Sequence, residues 1–127
     1  MWPHGKAKHQ WLENVLIVEY SGAFNREGLV NARNTTVELV KAAGFAKWYR
    51  IVVYKDDVYA SPEVIRLANQ YEAQDAQLGC LGIAYVVSST FQRNIRKSAG
   101  KLAFKQHQFV STIDQALIAI NKMKADE

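Results

Sequence analysis

The sequence predicts one α/β domain, a mixed sheet of about five strands with helices packed on it, in the order ββαβαβαβα. Three observations carry this. Short apolar runs take turns with longer amphipathic stretches about four times in 127 residues. The centres of Trp48–Tyr54 and Leu81–Val87 are apolar at consecutive positions, as in strands covered on both faces. No repeat, low-complexity tract or Gly/Ser/Pro linker interrupts the alternation, so residues 1–127 read as a single domain.

The elements follow in order. Lys8–Leu12 and Val15–Tyr20 flank Glu13-Asn14; their β-branched content and close spacing predict an antiparallel hairpin, ended by Ser21-Gly22. Asn25 is placed to cap a helix by accepting an orphan N–H of its first turn. That helix runs to about Ala43, with Leu29, Val30, Val37 and Val40 as its apolar stripe and Leu39 beside them. Gly44 suits the left-handed position after it. Trp48–Tyr54 is the next strand, and Lys55-Asp56-Asp57 a polar loop. Ser61 caps a second helix with Pro62 at its first position, where a missing N–H does no harm. Val64, Leu67, Ala68 and Tyr71 form its inner face, and it ends near Gly79.

Leu81–Val87 is the most strand-like run. Ser88-Ser89-Thr90 opens a shorter third helix, with Ser89 and Gln92 at capping-box spacing. Phe91 and Ile95 face inward from it, and Arg93, Arg96 and Lys97 face elsewhere. Gln106–Val110 reads as an edge strand. Thr112 and Gln115 form another capping box, and Ile113, Ala116, Leu117 and Ile120 a clean helical stripe. The charged tail from Lys122 is expected to fray. Strands that alternate with helices imply parallel neighbours, and the opening hairpin makes the sheet mixed.

Composition bounds the function. The hydrophobic fraction is 49% and the charged fraction 22%, ordinary for a globular protein. No apolar window approaches the length of a membrane span, and the first residues, Met1-Trp2-Pro3-His4-Gly5-Lys6, lack the apolar core of a secretory signal. With one cysteine, Cys80, and no internal disulfide to make, the expected compartment is the cytoplasm. The net charge of +4 is uneven: Ala76–Ile113 has no Asp or Glu and carries Arg93, Arg96, Lys97, Lys101 and Lys105. Such a segment suits an anionic partner or a solvated helix face.

Several short motifs together carry a family resemblance: Pro3-His4-Gly5, Asn14–Val18, the run Ser21–Gly28, Trp48 before Ile51-Val52-Val53, Ser61-Pro62-Glu63, and Ile83–Val87. With this element order, the chain resembles the STAS fold of anti-sigma-factor antagonists, and more closely the small bacterial SpoIIAA-like proteins, which are similar to STAS and CRAL-TRIO domains. In the antagonists a serine or threonine at the start of the second helix is phosphorylated to switch partner binding, which the resemblance places near Ser61. Here Ala60 stands where the family has Asp, and Pro62 follows. That departure favours a plain helix cap. The CRAL-TRIO likeness implies an apolar ligand, by analogy of fold.

The residues themselves offer little catalysis. His4, His9 and His107 form no compact cluster for a metal. Asp56-Asp57 follows a strand, where α/β sheets bind ligands, yet adjacent carboxylates point apart. Cys80 reads as core filler rather than as half of a Cys–His pair. No phosphate-binding glycine pattern is present. Ser88-Ser89-Thr90 at a helix start suits an anion, with Arg93 one turn on, or simply caps the helix.

The expectation is therefore a non-enzymatic STAS-like domain that binds a protein partner in regulation. Its surface comprises Asn25, Ser61 and Ser89, widened by Arg93, Arg96 and Lys97. The alternative is a carrier of a small apolar ligand in a helix–sheet pocket lined by Tyr54, Tyr59 and Tyr85. A homodimer is compatible with either. Nucleic-acid binding ranks last among binding functions, for want of an aromatic-interleaved or helix-turn-helix motif. No cofactor or metal is expected, and no enzyme, since no general acid, base and oxyanion donor can be named together.

Overall fold

The computed structural model describes residues 2–88 and 106–126. Its element order is β1 (Lys6–Leu12), β2 (Val15–Ser21), β3 (Ala23–Phe24), α1 (Arg26–Ala43), β4 (Trp48–Tyr54), β5 (Tyr59–Ala60), α2 (Pro62–Gln77), β6 (Cys80–Val86), β7 (His107–Val110) and α3 (Ile113–Ala125). Five strands form one mixed sheet, ordered β1-β2-β4-β6-β7. The hairpin β1–β2 is antiparallel, and β2–β4, β4–β6 and β6–β7 are parallel. The helix expected after Ser88 falls outside the described residues.

Local signals place the elements. Glu13 takes the left-handed turn position (φ 52°) between Leu12 and Val15, which pair directly across the hairpin. Asn25, Ser61 and Thr112 each accept a backbone N–H of the helix they precede, from Gly28, Val64 and Gln115. Gly44 ends α1 in the left-handed region at φ 70°, which costs little without a Cβ.

The consecutive apolar positions of the central strands serve two cores. Leu16, Val18, Tyr20, Trp48, Val52 and Tyr85 belong to the layer under α1 and α2. Val15, Ile17, Tyr49, Ile51, Val53 and Ala84 pack with Ala116, Ile120 and Met123 of α3 on the other face. This is the period-two alternation of a strand, hidden in the sequence because both faces are dry.

Three details depart from expectation. The buried stripe of α1 is Leu29, Ala32, Arg33, Thr36 and Val40, while Val30 and Val37 are only half-buried. Two buried polar residues took places that hydropathy assigns to valines. The tail does not fray at Lys122: α3 continues to Ala125 because Met123 is buried in the second core. Its sulfur lies where a Cβ on Gly82 would come within 2.7 Å. Finally, β3 and β5 pair with each other as a separate parallel ladder, Ala23 with Tyr59 and Phe24 with Ala60. Two-residue strands leave no periodic signal.

Candidate functional site

The layer between α1, α2 and the sheet contains a cavity of about 70 Å³. Tyr20 and Tyr54, near the carboxyl ends of the parallel strands β2 and β4, form part of its wall. The β3–β5 ladder contributes Phe24 and Ala60. Helix α1 supplies Leu29 and Arg33, and α2 supplies Val64, Ala68, Tyr71 and Glu72. The carboxyl end of a parallel sheet is where open α/β folds bind ligands, because the helix starts and crossover loops gather there.

The walls are apolar and aromatic. Tyr20 packs edge-to-face on Phe24, with centroids 5.4 Å apart, and stacks against Tyr54 at 6.1 Å. The floor is charged. Arg50 is 4% exposed, Glu72 4%, Asp75 0% and Arg33 8%, burial that ionisable groups tolerate only when paired. Asp75 accepts from both arginines: Arg33 Nη1 on one carboxylate oxygen, and Arg50 Nη1 on the other at 2.5 Å. Arg50 Nη2 donates to the Tyr20 hydroxyl at 2.7 Å. The Tyr85 hydroxyl donates to Glu72 Oε2 at 2.9 Å. Arg33 also lies over the Tyr71 ring, 5.2 Å from its centroid.

Among the described residues, two guanidinium groups and two carboxylates make this floor formally neutral. Burial works against the charge on Arg50, but Tyr20, Asp75 and Glu72 outweigh it, so its pKa is raised and it stays protonated. Burial pushes the Tyr20 phenol up as well, against the pull of Arg50, and it keeps its proton. One group is left over. Arg50 Nε is the buried side-chain polar atom that lacks a hydrogen-bond partner among the described residues. A buried donor without an acceptor costs roughly 1–3 kcal/mol, which a bound acceptor would offset.

Of the pocket residues expected from sequence, Tyr54 lines the cavity. Tyr85 is fully buried in the same layer, bonded to Glu72 and stacked on Phe109 at 4.8 Å. Tyr59 is 62% exposed on β5 and is not part of the cavity wall. Asn25 and Ser61 cap α1 and α2. The Asn25 side chain makes three hydrogen bonds: Oδ1 accepts from Gly28 N and His4 N, and Nδ2 donates to Trp2 O, each at 2.8 Å. It ties residues 2–4 to the start of α1. Ser89, Arg93 and Arg96 lie outside the described residues, as do Lys97, Lys101 and Lys105.

Sequence reading missed the charged floor. The available signal was Arg50, a lone charge inside an apolar strand expected to be covered on both faces, which demands a partner. Glu72 and Asp75 sit three apart on a helix and so share a face. Cys80 is buried, its sulfur 3.5 Å from Gly82 O, and burial followed by Asp75 pushes its thiol up to about 12. That describes an inert thiol. Asp56 is bonded to Ser88 Oγ at 2.6 Å. Among the described residues no cluster of His, Cys, Asp and Glu could hold a metal, and no helix is long and apolar enough to cross a membrane. The sequence matches no protein-family model and no curated protein.

Proposed function

We propose that this protein is a non-enzymatic binder of a small, mainly apolar molecule, held in the cavity between α1, α2 and the sheet. The observation that carries the reading is Arg50. A guanidinium is built into a largely apolar and aromatic wall beside Arg33 and Glu72, its two terminal nitrogens are committed to Asp75 and Tyr20, and its remaining N–H has no acceptor among the described residues. Ligand sites have this composition: apolar walls to drive binding and a few fixed polar groups to orient the guest. At about 70 Å³ the space is roughly half that of an engineered cavity that holds benzene. The guest is therefore a small compound, or one whose bulk extends through the mouth, rather than a long lipid chain. The test is amide chemical-shift mapping with toluene and indole. Saturable shifts at Tyr20, Phe24, Val64 and Ala68, lost in Ala68→Phe, are expected; no saturable shift, or shifts confined to another surface, rejects the reading.

A second reading, a regulatory domain for a protein partner, is supported by Tyr59. This large side chain is 62% exposed, two residues before the Ser61 cap, at the rim to which the resemblance to STAS and SpoIIAA-like proteins assigns partner binding. Pull-downs with Tyr59→Ser, and with charge reversal at Arg93 and Arg96, test it. An unchanged set of captured proteins in both counts against it.

A further inference from the structure

We infer that the cavity selects a neutral, ring-bearing molecule with one hydrogen-bond acceptor oxygen, such as an aryl ketone or ether, over both the corresponding carboxylate and the bare hydrocarbon. This rests on the cavity being a binding site, as proposed above, and adds the chemistry of the guest.

The donors come first. Arg50 Nε–H has no acceptor among the described residues. The Tyr20 hydroxyl oxygen already accepts from Arg50 Nη2. The phenol stays protonated, because burial raises its pKa, so it retains an O–H to give. Both groups belong to cavity-lining residues, and both ask for an acceptor. A hydrocarbon leaves the Arg50 donor unpaired; a guest oxygen satisfies it, with the difference set by a buried hydrogen bond.

The charge comes second. Arg33 and Arg50 are balanced by Asp75 and Glu72, with Asp75 gripped by both arginines. A guest carboxylate adds a third buried anion, and the two guanidinium groups that line the cavity among the described residues are already matched by Asp75 and Glu72. Glu72 is itself a lining residue, so the anion meets a like charge at short range, where low dielectric makes repulsion strong. A neutral oxygen uses the same donor without that cost.

The shape comes third. Tyr20, Phe24, Tyr54 and Tyr71 line the cavity, and Tyr20 packs edge-to-face on Phe24 and stacks on Tyr54. Such rings favour a flat aromatic guest. The small volume takes the oxygen and its neighbouring carbons, and leaves the ring among the tyrosines.

Acetophenone, benzoate and toluene separate these ideas, because they share a ring and differ in the group beside it. Binding of each to the 127-residue chain is titrated by amide chemical shifts at neutral pH. The expected result is acetophenone tighter than both others by about tenfold, with Tyr20→Phe narrowing its lead over toluene. Toluene binding as tightly as acetophenone overturns the acceptor and leaves the cavity as a binding site. Benzoate binding as tightly overturns the neutrality. Failure of all three to bind overturns the cavity as a site, and the inference with it.

Discussion

Arg50 of β4 and Asp75 of α2 meet at 2.5 Å in the dry layer between sheet and helices, while Arg33 of α1 grips the other oxygen of the same carboxylate. One acidic side chain thus joins two helices and the central strand. Asp75→Ala leaves two guanidinium groups buried without their shared anion. A loss of about 3–5 kcal/mol is expected, read from urea denaturation, and a change below about 1 kcal/mol would falsify the view that this carboxylate holds the layer together. Replacing all four charged groups together, Arg33→Met, Arg50→Met, Glu72→Gln and Asp75→Leu, should cost less than Asp75→Ala alone, because it leaves neither guanidinium buried without its anion.

His9 gives the protein an acid-sensitive contact. Its Nε2 lies 2.9 Å from Thr36 Oγ1, and that hydroxyl donates to Ala32 O at 3.1 Å. The imidazole is therefore the donor, in its neutral form. Burial first, and Arg50 second, lower its pKa from 6.5 to about 4. Between those values the unfolded chain binds a proton that the native chain refuses, so stability falls as pH drops through that window and is fully present above it. A loss of about 1–2 kcal/mol, discounted for the ring's partial exposure, is expected in the parent and absent from His9→Gln. Urea midpoints of the two at about pH 7 and about pH 4.5 give the comparison; parallel midpoints would exclude the effect.

Cys80 should resist a thiol reagent for as long as the fold persists. Its sulfur is buried and its thiol is pushed up to about 12, and the thiolate is the reactive species. Labelling by a maleimide is expected to track global unfolding in urea. Rapid labelling of the native chain at neutral pH would show that the first core opens there.

Gly28 tests the attachment of residues 2–4. A Cβ on this helical glycine would lie 1.8 Å from His4 O. Alanine is the better helix former by about 1 kcal/mol, yet Gly28→Ala is expected to cost about 1–3 kcal/mol through displacement of that strand of chain. Asn25→Ala, which removes the cap and the bonds to Trp2 and His4, should cost about 1–2 kcal/mol. Denaturation midpoints at or above the parent value would contradict both.

The sequence by itself determined the order of the five strands of the main sheet and of the three described helices, and where those helices begin. Asn25, Ser61-Pro62 and Thr112 open helices, and Gly44 closes one, through bonds within a few residues of each. The runs Val15–Tyr20, Trp48–Tyr54 and Leu81–Val87 are too apolar to lie anywhere but inside, and the three strands occupy the middle of the sheet. Only the tertiary structure decided the site. Arg33, Arg50, Glu72 and Asp75 are dispersed over three elements, and hydropathy scores each as a surface residue; β3 and β5 exist only as each other's partner. Caps and periodicity are short-range, so a chain displays them residue by residue. A buried charge is stable only beside an opposite one, and which charges become neighbours is settled when the helices dock on the sheet.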